Sequence, residues 1–143
     1  MNDKGWNMNQ GEIEALSYRE LQIKAAGLAG WAGPRKTMVS GQVYSSSDID
    51  FCWQSPDGQY TPCGVPDYPN DIAAAASLWD YYSQGRECYF GLSYDLGRGE
   101  INPWSCAMCP EAMGIDFVYG DGPTEAVART RAFILAMESE NAN

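Results

Sequence analysis

Histidine is missing from this chain of 143 residues, and basic residues are scarce, with nine lysines and arginines against 19 acids. Without histidine the sequence lacks the usual general base near neutral pH, the Ser-His and Cys-His nucleophile pairs, and the commonest transition-metal ligand. The net charge of −10 disfavours contact with the phosphate backbone of a nucleic acid. We therefore predict a protein that is not an enzyme and does not bind nucleic acid directly.

Long apolar runs are also missing. No stretch approaches the roughly 20 apolar residues that cross a bilayer. The start of the chain, from Met1 to Trp6, lacks the basic and then apolar layout of a signal peptide. We expect no membrane association and a location in the cytoplasm where the protein is made.

The negative charge is uneven along the chain. Residues 1–70 contain eight acids and five bases, a balance of −3, and residues 71–143 contain eleven acids and four bases, a balance of −7. One interpretation is an acidic surface that keeps the protein soluble. The other is a surface that imitates DNA and occupies a nucleic-acid-binding protein, which would require carboxylates in rows, whereas here they are scattered.

Five cysteines, an odd number, occur in a chain without an export signal, so reduced thiols are expected. They are Cys52, Cys63, Cys88, Cys106 and Cys109. Cys106 and Cys109 have the spacing of half a zinc site, but the remaining ligands could come only from the other cysteines or from carboxylates. A redox pair would begin a helix, whereas Pro103 and Pro110 favour a strand end or loop here. We predict packed thiols, no metal and no cofactor.

The length predicts one domain over residues 1–143. Residues 1–36 form an N-terminal helical region, in which the capping-box pattern from Ser17 to Glu20 begins a helix over 17–28. Residues 37–66 form a small strand and hairpin insertion, with strands at 38–44 and 49–54. The turn from Ser55 to Gly58 is expected to pair 51–54 with 59–61.

Residues 67–138 form the predicted core, a helix, three strands and a helix. The helix over 70–83 presents one apolar face, whose members are Ile72, Ala75, Ala76, Trp79 and Tyr82, and its alanines let it lie close to a sheet. Strands at 87–95 and 101–108 pair antiparallel, a third follows at 114–119, and residues 120–124 end it and cap the last helix. The last helix covers 125–138. The order of elements predicts an α+β fold in which helices cover both faces of an antiparallel sheet.

Residues 65–74 and 123–136, with Gly11 to Leu16 and Trp31 more faintly, resemble the signatures of the phage αβα-sandwich (ABA sandwich) domain, a family of small bacteriophage and prophage proteins. The likeness covers residues 65–137 well. It implies an αβα architecture, a phage origin and action in the host cytoplasm. The shared motifs form the fold and carry no catalytic site, and residues 37–64 depart from the pattern.

These features together favour a phage-encoded binding protein that inhibits a host defence or regulatory protein with a basic surface. An alternative is a sponge that sequesters a nucleotide immune signal by stacking and by arginine contacts. The candidate binding residues for either are Trp53, Arg86, Tyr94, Arg98 and Trp104, with Arg35 as a further candidate. A structural or accessory phage protein without a ligand also remains open, as does a homo-oligomer.

A carboxylate-metal hydrolase is the remaining hypothesis. Its nearest groupings are Asp48 with Asp50 and Asp116 with Asp121, and neither has a lysine or histidine companion. Carboxylates in such groupings more typically cap turns and face the solvent.

Overall fold

A computed structural model describes residues 10–33, 38–39, 42–43, 53–58, 60–61, 64–84, 88–98, 101–109 and 118–141. The helices are α1 (Gln10–Glu14), α2 (Tyr18–Leu28), α3 (Ile72–Ser83) and α4 (Glu125–Asn141), with a 3₁₀ helix at Leu96–Arg98. The strands are β1 (Met38–Val39), β2 (Gln42–Val43), β3 (Trp53–Gln54), β4 (Tyr60–Thr61), β5 (Tyr89–Tyr94), β6 (Trp104–Cys109) and β7 (Val118–Gly122). The predicted α+β class is confirmed.

The main sheet is an antiparallel meander in the order β5-β6-β7. Leu92 pairs with Cys106, and Cys106 pairs with Gly120. The predicted antiparallel pairing of strands within 87–95 and 101–108 is confirmed. The predicted end of the third strand at residue 119 is wrong, because Gly120, Asp121 and Gly122 continue β7. Residues 114–117 of the predicted third strand lie outside the described part.

Helix α4 packs unusually close to β7, and two glycines make this possible. A Cβ on Gly120 would lie 2.5 Å from the Ala128 carbonyl oxygen and closer still to the Ala132 amide nitrogen. A Cβ on Gly122 would lie 2.8 Å from a Val127 methyl carbon. The glycines therefore stay in the strand because the helix backbone occupies the space that their side chains would fill. Close approach to the sheet was predicted for the alanine-rich α3, and it is observed for α4.

Helix α3 begins after Asp71 and buries a different face from the predicted one. Asp71 accepts hydrogen bonds from the amides of Ala73 and Ala74, which satisfies the first turn. Its buried residues are Ala75, Leu78 and Tyr82. Ile72, predicted to be in the core, is 51% exposed. The face is rotated because α3 packs largely on α4 instead of lying flat on the sheet.

Aromatic contacts fix the position of α3. The Tyr82 ring meets the Phe133 ring of α4 edge-on at 6.4 Å, and the Trp79 ring lies 4.9 Å from Phe90 of β5. Helices 70–83 and 124–138 were predicted to pack on a shared sheet; α4 does so on β6 and β7, whereas α3 packs mainly on α4 and contacts the sheet through Trp79 and Phe90. The apolar residues Val127, Phe133 and Ile134 of α4 are fully buried.

Helix α2 packs on α4 from the outside of the molecule. The capping box at Ser17 and Glu20 is present, as predicted. Leu21, Ala25 and Ala26 are buried, and Lys24 Nζ lies 2.6 Å from a carboxylate oxygen of Glu138 in α4. The predicted start and end of this helix are confirmed to within a residue.

Two small hairpins occupy the insertion. In β3-β4, Trp53 pairs with Thr61 across a turn at 55–58 in which Gly58 has a φ of +94°, so the predicted hairpin is confirmed. The single strand predicted over 38–44 is wrong, since Met38 pairs with Val43 and Val39 with Gln42. Residues 49–52 lie outside the described part.

The packed helices lie on one face of the sheet. Phe90, Cys106, Met108 and Gly120 share this face, as strand alternation requires. On the opposite face Tyr89 and Tyr119 are about half exposed, and no helix of the described residues covers them. The αβα sandwich is therefore not confirmed and stays a prediction, as do the single domain and its internal boundaries.

Candidate functional site

The connection between β5 and β6 builds the most exposed apolar surface among the described residues. The Asp95 amide donates to the Pro103 carbonyl at 2.8 Å, which continues the ladder one step past Tyr94. The Asp95 carboxylate accepts from the Gly97 amide at 2.9 Å and so holds the start of the 3₁₀ helix. The connection thus begins with a short 3₁₀ helix, and Asp95 anchors its start through both its backbone amide and its carboxylate.

Four large apolar side chains surround this connection, and we call them the hairpin patch: Tyr94, Leu96, Ile101 and Trp104. Tyr94 is 53%, Leu96 61% and Ile101 77% exposed, while Trp104 is half-buried. The Tyr94 and Trp104 rings meet edge-on with centroids 5.0 Å apart. Several exposed apolar side chains on one short connection, two of them in ring contact, are typical of an interaction site, whereas single ones are normal on any surface.

The other sequence-predicted site residues do not join this patch. Trp53 is 1% exposed and belongs to the core, so its ring cannot stack on a ligand, and we correct that prediction. Arg98 ends the 3₁₀ helix, but its side chain lies outside the described part, as do Arg86 and Arg35 altogether. Of the five predicted residues, the structure brings together Tyr94 and Trp104.

The charged side chains divide sharply by sign. Among the described side chains, every exposed charged residue is an acid: Glu12, Glu14, Glu20, Asp57, Asp67, Asp71, Asp80 and Asp95. The four described bases are all at least partly buried. Lys24 pairs with Glu138, Arg129 pairs with Glu125 at 2.8 Å, and Arg19 donates to Gln22. The described surface therefore offers carboxylates to a partner, while its cations are engaged within the fold.

Arg131 is the fourth base, and only 6% of its surface is exposed. Its Nη1 donates to the Asp121 carbonyl of β7 at 2.7 Å. Burial lowers the pKa of this guanidinium, and the nearby carboxylate of Glu14 opposes the shift. The residue ties α4 to the sheet and presents no charge to a ligand.

The carboxylates of the hydrolase hypothesis are not assembled in the described part. Asp48, Asp50 and Asp116 lie outside it, and Asp121 is half-buried in β7. No three cysteine or carboxylate side chains cluster among the described residues. Burial raises the pKa of the Cys106 thiol to about 12, so this thiol is protonated at neutral pH and a poor ligand or nucleophile. The absence of zinc stays a prediction, because the Cys109 side chain is outside the described part.

A cleft at the helix starts is a feature that the sequence did not indicate. Its volume is about 250 Å³, and it lies where α2, α3 and α4 begin. Tyr18, Pro69, Asn70, Ile72, Thr124, Glu125 and Ala126 line it. This volume is below the roughly 300–1,000 Å³ of pockets that bury small molecules, so the cleft does not favour a nucleotide site. The signal that could have found it is Ile72, an isoleucine in the first turn of a capped helix.

None of the described helices is both long enough and apolar enough to span a bilayer. Comparison with known proteins finds no matching family model, no matching curated protein and no matching solved structure. The hairpin patch and the surrounding charges are therefore the basis on which function is argued.

Proposed function

We propose that this protein is a non-enzymatic binding protein that attaches to a basic surface of another protein through the hairpin patch. The observation that carries the proposal is the combination of an exposed apolar patch with a surface whose exposed, described charges are all carboxylates. Apolar and aromatic anchors supply most of the affinity of an interface, and tyrosine and tryptophan are common among them.

Electrostatics supports the choice of partner. A net charge of −10 attracts a basic protein from all directions, whereas phosphate must find one of few arginines within that field. A basic partner also suits Asp95, whose exposed carboxylate lies within the hairpin itself. Because exposed charges are screened beyond about 8 Å at physiological ionic strength, salt should weaken the association.

The family resemblance supplies the biological setting of the proposal. It implies a phage protein that folds as one αβα-sandwich domain and acts in the cytoplasm of the host. The basic partner would then be a host defence or regulatory protein, and covering its functional surface would inhibit it. A nucleic-acid-binding enzyme is a partner of this kind, since its basic surface is already shaped for a negative ligand.

A nucleotide sponge is the second candidate. The observation that favours it is the Tyr94 and Trp104 ring pair beside the 3₁₀ helix that contains Arg98. Half-exposed aromatic rings can stack on a base, and an arginine can bind phosphate. The small cleft does not add to this candidate, so it depends on the ring pair alone.

Two tyrosines allow a matched test of the first candidate. Tyr94 and Tyr89 end the same strand, are both 53% exposed, and lie on opposite faces, with Tyr94 in the patch. Immobilised wild-type protein, Tyr94→Ala and Tyr89→Ala are incubated with bacterial lysate at low and high salt, and captured proteins are identified by mass spectrometry. We expect a basic protein on wild type and Tyr89→Ala at low salt, reduced on Tyr94→Ala and at high salt.

Equal capture by the two tyrosine variants would show that the patch is not the binding surface. A thermal-shift screen of cyclic and linear nucleotides tests the second candidate in parallel. A large shift with one nucleotide that Arg98→Ala abolishes, with no captured protein, would replace the inhibitor with the sponge.

A further inference from the structure

The two edges of the main sheet are protected to different degrees. At the outer edge of β7, the Arg131 guanidinium donates to the Asp121 carbonyl, and Pro123 follows the strand. Helix α4 also lies against this strand. An added strand would have to displace a buried arginine here, so the β7 edge is closed to pairing.

Among the described residues, none of these protections is found at the β5 edge. In the part of the chain that the structure describes, β5 pairs with β6 and with no other strand. Its six residues, Tyr-Phe-Gly-Leu-Ser-Tyr, include no charge and no proline. Natural edge strands are normally blunted by lysine, proline, a bulge or a covering element, because an open edge is a template for another chain.

The hydrogen bonds of the ladder show which groups point outward. The Asp95 amide donates to the Pro103 carbonyl of the β6 side, so residue 95 is turned inward. Peptide groups alternate along a strand. Gly91 and Ser93 therefore also turn toward β6, while the N–H and C=O groups of Phe90, Leu92 and Tyr94 turn away from it. The β7 side agrees, since the Asp121 carbonyl points away from β6 and toward Arg131.

We propose that the outer edge of β5 accepts an extended, basic segment of the partner protein as an added strand. The inference rests on the proposed function, because it names how the basic partner binds. The edge ends at Tyr94, so an added strand would lie directly beside the hairpin patch and form one continuous surface with it.

Charge decides between a foreign strand and a second copy of this chain. The exposed, described charges are carboxylates, including Asp95 at the end of the strand and Asp80 on the neighbouring α3. A segment with lysine or arginine between its apolar residues is attracted to this edge. A second copy of this chain is repelled, because each copy has a net charge of −10.

The test uses the full chain labelled with nitrogen-15 and an acetylated, amidated peptide of alternating lysine and valine. Amide hydrogen exchange is followed by NMR with and without the peptide. We expect exchange at Phe90, Leu92 and Tyr94 to slow by about tenfold or more, while the amides of β7 keep their rates. A peptide with the same sequence, N-methylated at every residue so that neither of its edges can donate a hydrogen bond, is the control and should give no protection.

The outcomes separate this inference from the function on which it rests. Binding of both peptides without protection at β5 would overturn strand addition and leave a basic partner at the patch. A second result would lead to the same conclusion: the peptide gives no protection even at millimolar concentration, while a basic protein is captured through Tyr94. Equal protection by a peptide with glutamate in place of lysine would overturn the basic partner. Protection that rises with protein concentration and needs no peptide would assign the edge to a second copy.

Discussion

The α4-β7 side of the molecule and the β5-hairpin side are built in opposite ways. On the first, a helix lies so close to the strand that two glycines have no room for a Cβ, and a buried arginine covers the strand edge. On the second, two tyrosines, a leucine and an isoleucine are at least half exposed, and the strand edge has no described partner. Both sides belong to the same three-stranded sheet.

The difference separates stability from recognition. Close packing and buried apolar area stabilise a fold, but they leave no surface that a partner can reach. Exposed apolar side chains and unpaired peptide groups add little to stability and are available for binding. If this division is right, substitutions on the first side should unfold the protein, and substitutions on the second should leave it folded and impair binding.

The largest effect is expected from two isoleucines that the sequence pattern treats alike. Ile134 is fully buried in α4, whereas Ile72 is 51% exposed. Ile134→Ala should lower the free energy of unfolding by about 2–5 kcal/mol, as other buried large-to-small changes do. Ile72→Ala should lower it by less than about 1 kcal/mol, since much of its surface already meets water. Urea unfolding curves measure both, and equal losses would contradict the rotated face of α3.

Two glycines test the comparison directly. Gly120→Ala places a methyl group against the backbone of α4, so either the helix or the strand must shift. Overpacking of this kind destabilises by about 1–3 kcal/mol and occasionally more. Gly91→Ala meets only the Ala107 Cβ, at 3.8 Å, and should change stability by less than about 0.5 kcal/mol.

Thermal or urea unfolding of the two variants gives the result. Similar losses at both positions would mean that the sheet is packed equally tightly on its two sides. Loss at Gly91 alone would reverse the comparison.

Alkaline pH should act through the packed side. Burial raises the pKa of Cys106 from 9.0 to about 12, so the folded state holds its proton more tightly than the unfolded state does. The protonated thiol therefore contributes to the free energy of unfolding. This contribution is complete below pH 9 and falls by about 1.4 kcal/mol per pH unit as the pH rises toward 12. Burial also raises the pKa of Tyr68, to about 12 from 10.0, so the decline should steepen above pH 10.

Urea unfolding between pH 8 and 11 measures this slope. Cys106→Ala supplies the control, because the variant removes the thiol and should flatten the slope between pH 9 and 10, whatever its stability at pH 8. An unchanged slope would mean that Cys106 does not titrate with unfolding.

Local signals in the sequence predicted the elements well. The capping box at Ser17 correctly predicted the start of α2, and the strand predicted at 87–95 contains β5. These features depend on neighbours within a few residues, and the sequence contains them directly. The pairing of β5 with β6 followed from the turn between them.

Those local signals did not predict which faces and residues are buried by contacts between distant parts of the chain. The stripe through Ile72 fits the period of a helix, but which side of α3 is buried depends on where α4 lies. Gly120 and Gly122 looked like the end of a strand, since the sequence does not distinguish a glycine needed for close packing from a glycine that ends a strand. Trp53 looked available for stacking because its burial depends on segments distant in sequence. The Tyr94 and Trp104 pair was found because the hairpin brings them together locally.

The smallest effect on stability is expected at the hairpin patch. Ile101 is 77% exposed, so Ile101→Ser removes little buried area and should change the free energy of unfolding by less than about 0.5 kcal/mol. Leu78→Ser is the matched change on the buried side, because Leu78 is 1% exposed, and it should destabilise strongly. The patch change should nevertheless reduce capture of the basic partner, since an apolar anchor is replaced by a hydroxyl. Unfolding and capture are measured on the same preparations, so that the loss of stability and the loss of binding are compared for each variant. If Ile101→Ser lost more than about 1 kcal/mol, the patch would be part of the packed structure, and the division between a stabilising side and a binding side would not hold.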